Sequence, residues 1–175
     1  MYQLEPLPMA EITDPELRNL IAEADALGVP GSDFARIIAR FPAHAKPFLR
    51  AMMMSHAKGN VDHRLKEVIR ILLARFADDP YFSRLRSAKA RDAGLSEERI
   101  DAGVDDYEDS PQFSEAEKCA LRYADQMFLD PNKVDAALYA ELKTHFSEAQ
   151  IMELGSFIAF HYGMQVFMRT LGKTP

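Results

Sequence analysis

The 175-residue sequence predicts an all-α fold, and three observations carry that prediction. Between Asp62 and Phe76 the residues Leu65, Val68, Ile69, Leu72, Leu73 and Phe76 recur at helical spacing, and Ile71 and Ala74 widen the stripe until the helix is apolar most of the way round. Such a helix must be surrounded by partners. Further on, FSEAEKCALRYADQMF and FSEAQIMELGSFIAF each open on capping-box spacing, Ser114 to Glu117 and Ser147 to Gln150, ahead of a long apolar-faced run. Nowhere does a period-two alternation stand between hairpin turn residues, so strand signals are absent.

The elements follow in order. Residues 1–13 read as an extended arm in which Pro6 and Pro8 resist helix, and Tyr2, Leu4, Leu7 and Met9 suit packing on the body or on a neighbouring subunit. Residues 14–175 then form one helical domain. Asp14 caps the first helix with Pro15 at its first position, and Gly28 and Pro30-Gly31 end it. A short helix over Ser32–Arg40 starts at Ser32, and Ala43–Ala57 follows, with Pro47 tolerable only in a first turn.

Asp62–Phe76 comes next, carrying Glu67 into the apolar surround. A sharp break at Asp78-Asp79-Pro80 precedes one helix capped by Asp79 and closed by Gly94, with Arg86 well inside it. Ser96 starts a short helix, the acidic stretch DDYEDSPQ is the best place for a seam, and Asp130-Pro131 restarts the chain into a helix holding Val134, Leu138 and Leu142. LSEERI repeats the apolar-Ser-Glu opening of the two later helices. Common capping physics and a duplicated helix hairpin both account for this echo.

Composition narrows the function. A hydrophobic share of 47% supplies a core, and a net charge of -6 argues against a nucleic-acid groove, which needs concentrated Lys and Arg. Arg84, Arg86, Lys89 and Arg91, with Arg75 upstream, are interrupted by apolar residues and Asp92. Cys119 is the one cysteine, which rules out an intramolecular disulfide and fits a reducing compartment. With no secretory pattern at the start and no apolar run of about 18 residues, the expectation is a cytoplasmic protein without a membrane partner. The five histidines form no HExxH or Cys/His cluster, so neither metal nor cofactor is expected.

The segment LKEVIRILLARFADDPYFSRLRSAKARDAGLSEERI resembles the core of the carboxymuconolactone decarboxylase and AhpD-like alkylhydroperoxidase superfamily. The family pattern is a glutamate, a twelve-residue step to a Cys-x-x-Cys pair, a histidine four residues beyond, and an alanine-rich turn ending in Ala-Gly-Leu. Glu67 stands at the glutamate, Asp79 and Phe82 at the two cysteines and Arg86 at the histidine. Ala88 through Glu98 continue in register, and the later helices resemble the family's, with Tyr162 and Val166 where peroxidase-related members often have asparagine and arginine. The resemblance covers about residues 41–172. It implies an AhpD-like helical bundle assembled as a homo-oligomer.

Dithiol peroxidase chemistry needs a lowered thiolate and a resolving thiol. Phe82 and Asp79 supply neither. The decarboxylase branch implies acid–base chemistry on a small cyclic carboxylate or lactone without a cofactor. On that reading Glu67 transfers the proton, Arg86 offers a fork to the anion, and Asp79, Tyr81, Phe82, His161 and Tyr162 line the pocket. Each also has a structural reading. Glu67 can pair with Arg64 or Arg86, Asp79 can act only as a cap, Tyr81 can simply pack, and His161 can be a satisfied core histidine or share a cavity with Glu153. A noncatalytic ligand-binding or structural homo-oligomer is the rival function.

Overall fold

The computed structural model describes residues 3–171, and among these the secondary structure is entirely helical. The helices are α1 (Pro15–Leu27), α2 (Ser32–Ile38), α3 (Pro42–Ala57), α4 (His63–Phe76), α5 (Pro80–Arg84), α6 (Ala88–Asp92), α7 (Glu97–Asp105), α8 (Glu115–Leu129), α9 (Ala136–His145) and α10 (Glu148–Thr170). Tyr2 of the predicted arm lies outside the described residues. The remainder of the arm packs on its own chain: Arg18 donates to the carbonyls of Met9 and Ile12, the Leu7 N–H donates to Arg36, and Ile12 is buried.

Local chemistry explains most boundaries. The Asp14 carboxylate accepts from the Leu17 N–H at 3.0 Å, and Gly28 closes α1 at φ 77°. A side chain at Gly28 would put its Cβ 2.4 Å from the Arg86 carbonyl oxygen, so the end of α1 can press on the α5–α6 connection only because nothing projects there. Ser32 does not cap α2. Gly31 holds that position at φ 77°, Ser32 is already helical, and the helix stops at Ile38. Pro47 lies inside α3 beyond its first turn, which costs the helix one N–H donor.

α4 is the axis of the fold. From Leu65 to Ala74 every side chain is buried, and α3, α5, α6, α7, α8 and α10 all pack against it. One core cluster joins α4 to α7, α8 and α10, a second lies between α1, α2 and α3, and a third surrounds Phe34, Met52, Phe82 and Met168. The acidic stretch after α7 is anchored and forms no loose seam, since Tyr107 and Phe113 are buried and the Tyr107 hydroxyl donates to Asp125.

Two expected helices are divided. The predicted helix from Asp79 to Gly94 breaks between Arg84 and Ala88, where Leu85 is extended (φ -67°, ψ 147°) and Ser87 caps a new helix by accepting from the Ala90 N–H. Asp130-Pro131 opens only a short 3-10 turn, Asp135 caps α9, and Val134 falls between them. Both capping boxes form as the spacing predicts, at Ser114/Glu117 and Ser147/Gln150.

The α4–α7 contact provides a direct check of packing. A Cβ on Gly103 would sit 2.3 Å from Val68 Cγ1 and 2.9 Å from Phe113 Cζ. Gly103→Ala is therefore expected to destabilise the protein by about 1–3 kcal/mol, measured by urea unfolding, despite alanine's better helix propensity.

Candidate functional site

The break between α5 and α6 is built by charges on α4. One turn apart on that helix, Glu67 and Arg70 form a buried bidentate pair, Nε to Oε2 and Nη2 to Oε1, each at 2.8 Å. Arg70 also donates to the carbonyl oxygens of Phe82 (2.6 Å) and Leu85 (2.8 Å), while the Ser87 N–H donates to Glu67 Oε1 (2.8 Å). A continuous helix would have needed those carbonyl and N–H groups for itself. Their capture by α4 explains why the chain leaves helical geometry at Leu85.

Histidines complete the cluster. His56, in the last turn of α3, places Nε2 2.9 Å from Glu67 Oε2. Burial alone would raise the Glu67 carboxyl's proton affinity, but the Arg70 guanidinium and the hydrogen bonds from Arg70 and His56 hold it well below the usual carboxylate range. The ionised carboxylate accepts, so His56 Nε2 carries a proton; burial lowers the proton affinity of this imidazole despite Glu67. His63 Nδ1 lies 2.7 Å from the His56 carbonyl oxygen, which can only accept, so the Ser87 hydroxyl donates to His63 Nε2 at 2.7 Å. Burial, with His56 nearby, lowers His63 to about 4, consistent with a neutral ring.

The predicted partner of Glu67 is corrected by this geometry. Arg86 does not reach Glu67; its Nε lies 2.9 Å from both Glu97 carboxylate oxygens, and its Nη1 donates to the Ser83 and Leu85 carbonyls. It sits in the break, outside the helical turn expected of it. Tyr81 donates its hydroxyl to Pro30 O at 2.9 Å and accepts from the Phe34 N–H, tying α5 to α2. Phe82 is fully buried against Phe34 and Tyr81, so its backbone rather than its side chain meets Arg70.

His161 stands 5.5 Å, centroid to centroid, from His56 and 4.3 Å from Phe157. Neither of its ring nitrogens has a partner among the described residues, and full burial drives its proton affinity well below the usual histidine range. Glu153 is engaged elsewhere. That carboxylate accepts from buried Lys66 at 2.8 Å and from the Asn60 and Val61 N–H groups at the α3–α4 turn. Tyr162 packs edge-on against Phe128, away from the cluster.

Asp79 has a different environment. Its Oδ1 caps α5 by accepting from the Tyr81 N–H at 2.9 Å, while Oδ2 has no hydrogen-bond partner among the described residues. Burial outweighs the Tyr81 and Phe82 N–H groups and the nearby Arg70 and Arg169 charges, raising the carboxyl to about 6. Asp79 lines a cavity of about 390 Å³ with Ala74, Arg75, Asp78, Pro80, Ser83 and Arg84. Arg75 is already bound to Asp101 and Asp105, whereas Arg84 is exposed.

The Cys119 thiol is buried, and burial pushes it up to about 11, so it is no ready thiolate. No group of His, Cys, Asp and Glu that could hold a metal ion occurs among the described residues. No helix among them is long and apolar enough to cross a membrane.

The ion pair yields a stability prediction. Glu67→Gln leaves the Arg70 charge uncompensated in the interior and is expected to cost about 3–5 kcal/mol by chemical denaturation. Because the folded carboxyl lies below its unfolded value of 4.5, its contribution is present above that pH and lost on acidification through the folded value. The difference between wild type and variant should therefore shrink at low pH.

The chain matches no protein-family model and no curated protein. Its fold is similar to solved structures. Apo debrominase Bmp8 aligns with a TM-score of 0.82 at 20% identity, over 98% of this chain and 90% of that one. A cysteine-to-alanine variant of Bmp8 in complex with 2,3,4-tribromopyrrole gives 0.80 at 19% identity, with the same coverage. An uncharacterised peroxidase-related protein from Ralstonia eutropha JMP134, described as an alkylhydroperoxidase AhpD core, gives 0.79 at 16%, over 98% and 92%. The chain thus has the fold of these structures, the last of them an AhpD core, and its single cysteine allows no Cys-x-x-Cys pair.

Proposed function

We propose that this chain is a cysteine-independent, cofactor-free enzyme of carboxymuconolactone decarboxylase type, acting on a small carboxylate or lactone, with Asp79 as its proton-transfer group. The observation that carries the reading is a buried carboxyl raised to about 6 in the wall of a cavity that also holds Ser83 and Arg84. A carboxyl in that range keeps its proton at mildly acidic pH and gives it up near neutrality, which suits general acid–base work. Arg84 supplies a fork for a substrate carboxylate. When carbon dioxide leaves a β-keto or vinylogous acid, the bonding pair stays on the substrate as an enolate. Asp79 protonates the enolate carbon and recovers its proton from water.

The roles first attached to Glu67 and Arg86 become positional in this reading. Glu67 has both oxygens engaged, and through Arg70 it holds the carbonyls of α5; Arg86 braces the same short helix at Ser83. Tyr81 and Phe82 fix α5 from behind, while His161 and Tyr162 belong to the interior packing of α10. The debrominase variant of similar fold binds a halogenated pyrrole, which supports a small cyclic ligand for this scaffold and nothing about the reaction.

The rival, a noncatalytic ligand-binding or structural homo-oligomer, is favoured by the saturation of Glu67. Homo-oligomer formation is part of both readings. It is supported by a charge-free stripe on α10, Met152, Ser156, Ala159, Gly163 and Val166, in which Met152 is 69% exposed. A cytoplasmic location is supported by the single buried thiol, and cell fractionation checks it.

Asp79→Asn keeps the helix cap and removes the proton, so it separates the two functions. Against a panel of β-keto acids and lactones, kcat should fall at least about a hundredfold in the variant. Wild-type turnover should decline as pH rises through about 6. Turnover that survives Asp79→Asn removes Asp79 from the proton-transfer role, and no turnover across the panel favours the rival. A substrate-free readout accompanies it: the folded value exceeds the ordinary 3.8, so the ionised carboxyl burdens the fold at high pH. Asp79→Asn should then stabilise the protein by up to about 3 kcal/mol above pH 6, with the gain vanishing below pH 4. Ala159→Arg should lower the mass seen by light scattering to that of one chain.

A further inference from the structure

A second cavity, of about 420 Å³, lies where α1, the end of α3 and Lys89 of α6 come together. None of its lining residues belongs to the Asp79 cavity. Leu20 and Met53 are buried and give it a fixed floor, and Leu27, Ala57 and Met54 extend the apolar wall, with Met54 63% exposed. Methionine thioethers adapt to ligands of varied outline, and the volume is in the range of small-molecule sites.

The rim carries Arg50, Lys58 and Lys89 against one acid, Glu23. This local excess of positive charge stands on a chain of net charge -6. Arg50 pairs with Glu16, and Lys89 donates to the Ala57 carbonyl, while the Lys58 ammonium has no partner among the described residues. The end of a helix ordinarily repels anions through its free carbonyls. Here that repulsion is muted. The carbonyls of Ser55 and Lys58 accept from Lys66, that of His56 lies against His63, and that of Ala57 accepts from Lys89.

We infer that this cavity binds an amphipathic monocarboxylate, an aliphatic or aryl acid whose apolar body lies on Leu20, Leu27, Met53 and Met54 and whose carboxylate meets Lys58 and Lys89. Apolar walls disfavour a phosphate or a dianion, and Glu23 at the rim opposes a second negative charge.

Methionine methyl NMR of the whole protein tests the assignment, with decanoate as probe and decanol as its uncharged counterpart. Decanoate is expected to shift the Met53 and Met54 signals and to bind at least about fivefold tighter than decanol. Replacing both surface lysines, Lys58→Gln with Lys89→Gln, should weaken decanoate about fivefold and leave decanol unchanged, and Glu23→Gln should tighten decanoate. Equal affinity for acid and alcohol, shifts confined to other methionines, or no saturable binding at millimolar probe would overturn the inference. Loss of the Asp79-dependent reaction would leave these outcomes untouched, so the two readings fail separately.

Discussion

The bidentate contact between Glu67 and Arg70 is the constraint on which the rest of the molecule depends. A charge pair in a dry interior gains little net stability over apolar side chains of the same volume. Its effect here is directional. The pair takes three main-chain groups that one uninterrupted helix after Pro80 would have used for itself, the carbonyls of Phe82 and Leu85 and the N–H of Ser87. Two side chains from other helices join it, His56, which meets Glu67, and Gln165, whose amide donates to the Arg70 main-chain carbonyl. Four helices are thereby registered against α4 by polar contacts inside an otherwise apolar core.

That registration sets the character of the site beside it. Because α5 is short and capped from within, Asp79 is drawn out of solvent while its second oxygen is left without a partner. The Arg70 charge works against protonation of Asp79, and burial prevails. Glu67 experiences the same burial with the opposite outcome, because its guanidinium partner is in direct contact. Two carboxyls twelve residues apart in sequence thus end with opposite proton affinities. Their difference comes from contact geometry rather than depth.

Much of the architecture was legible in the sequence. The all-round apolar character of α4, the aspartate caps at 14 and 79 and both capping boxes gave elements and their starts, because these are local effects. The division of the helix after Pro80 was not legible, since its cause lies on another helix. The i,i+3 spacing of Glu67 and Arg70 on one apolar segment is the signal for the partner of Glu67, whereas Arg64 pairs with Asp62 and Arg86 with Glu97. His56 and His63 stand at the facing ends of α3 and α4, and only tertiary packing brings their rings within 4.5 Å, centroid to centroid. Lys66, buried and bound to Glu153, meets a partner 87 residues away that no local pattern announces.

The α4 charges grip main-chain atoms at 82, 85 and 87, and any amino acid except proline at 87 would offer the same atoms. The outward side chains of Ser83 and Arg84 are consequently spared the duty of holding the turn, which falls to Asp79, Tyr81, Phe82 and the α4 charges. A chain with this scaffold could exchange the outward side chains there while keeping an unaltered frame. Such freedom makes the turn an interchangeable cartridge for chemistry inside a fixed frame.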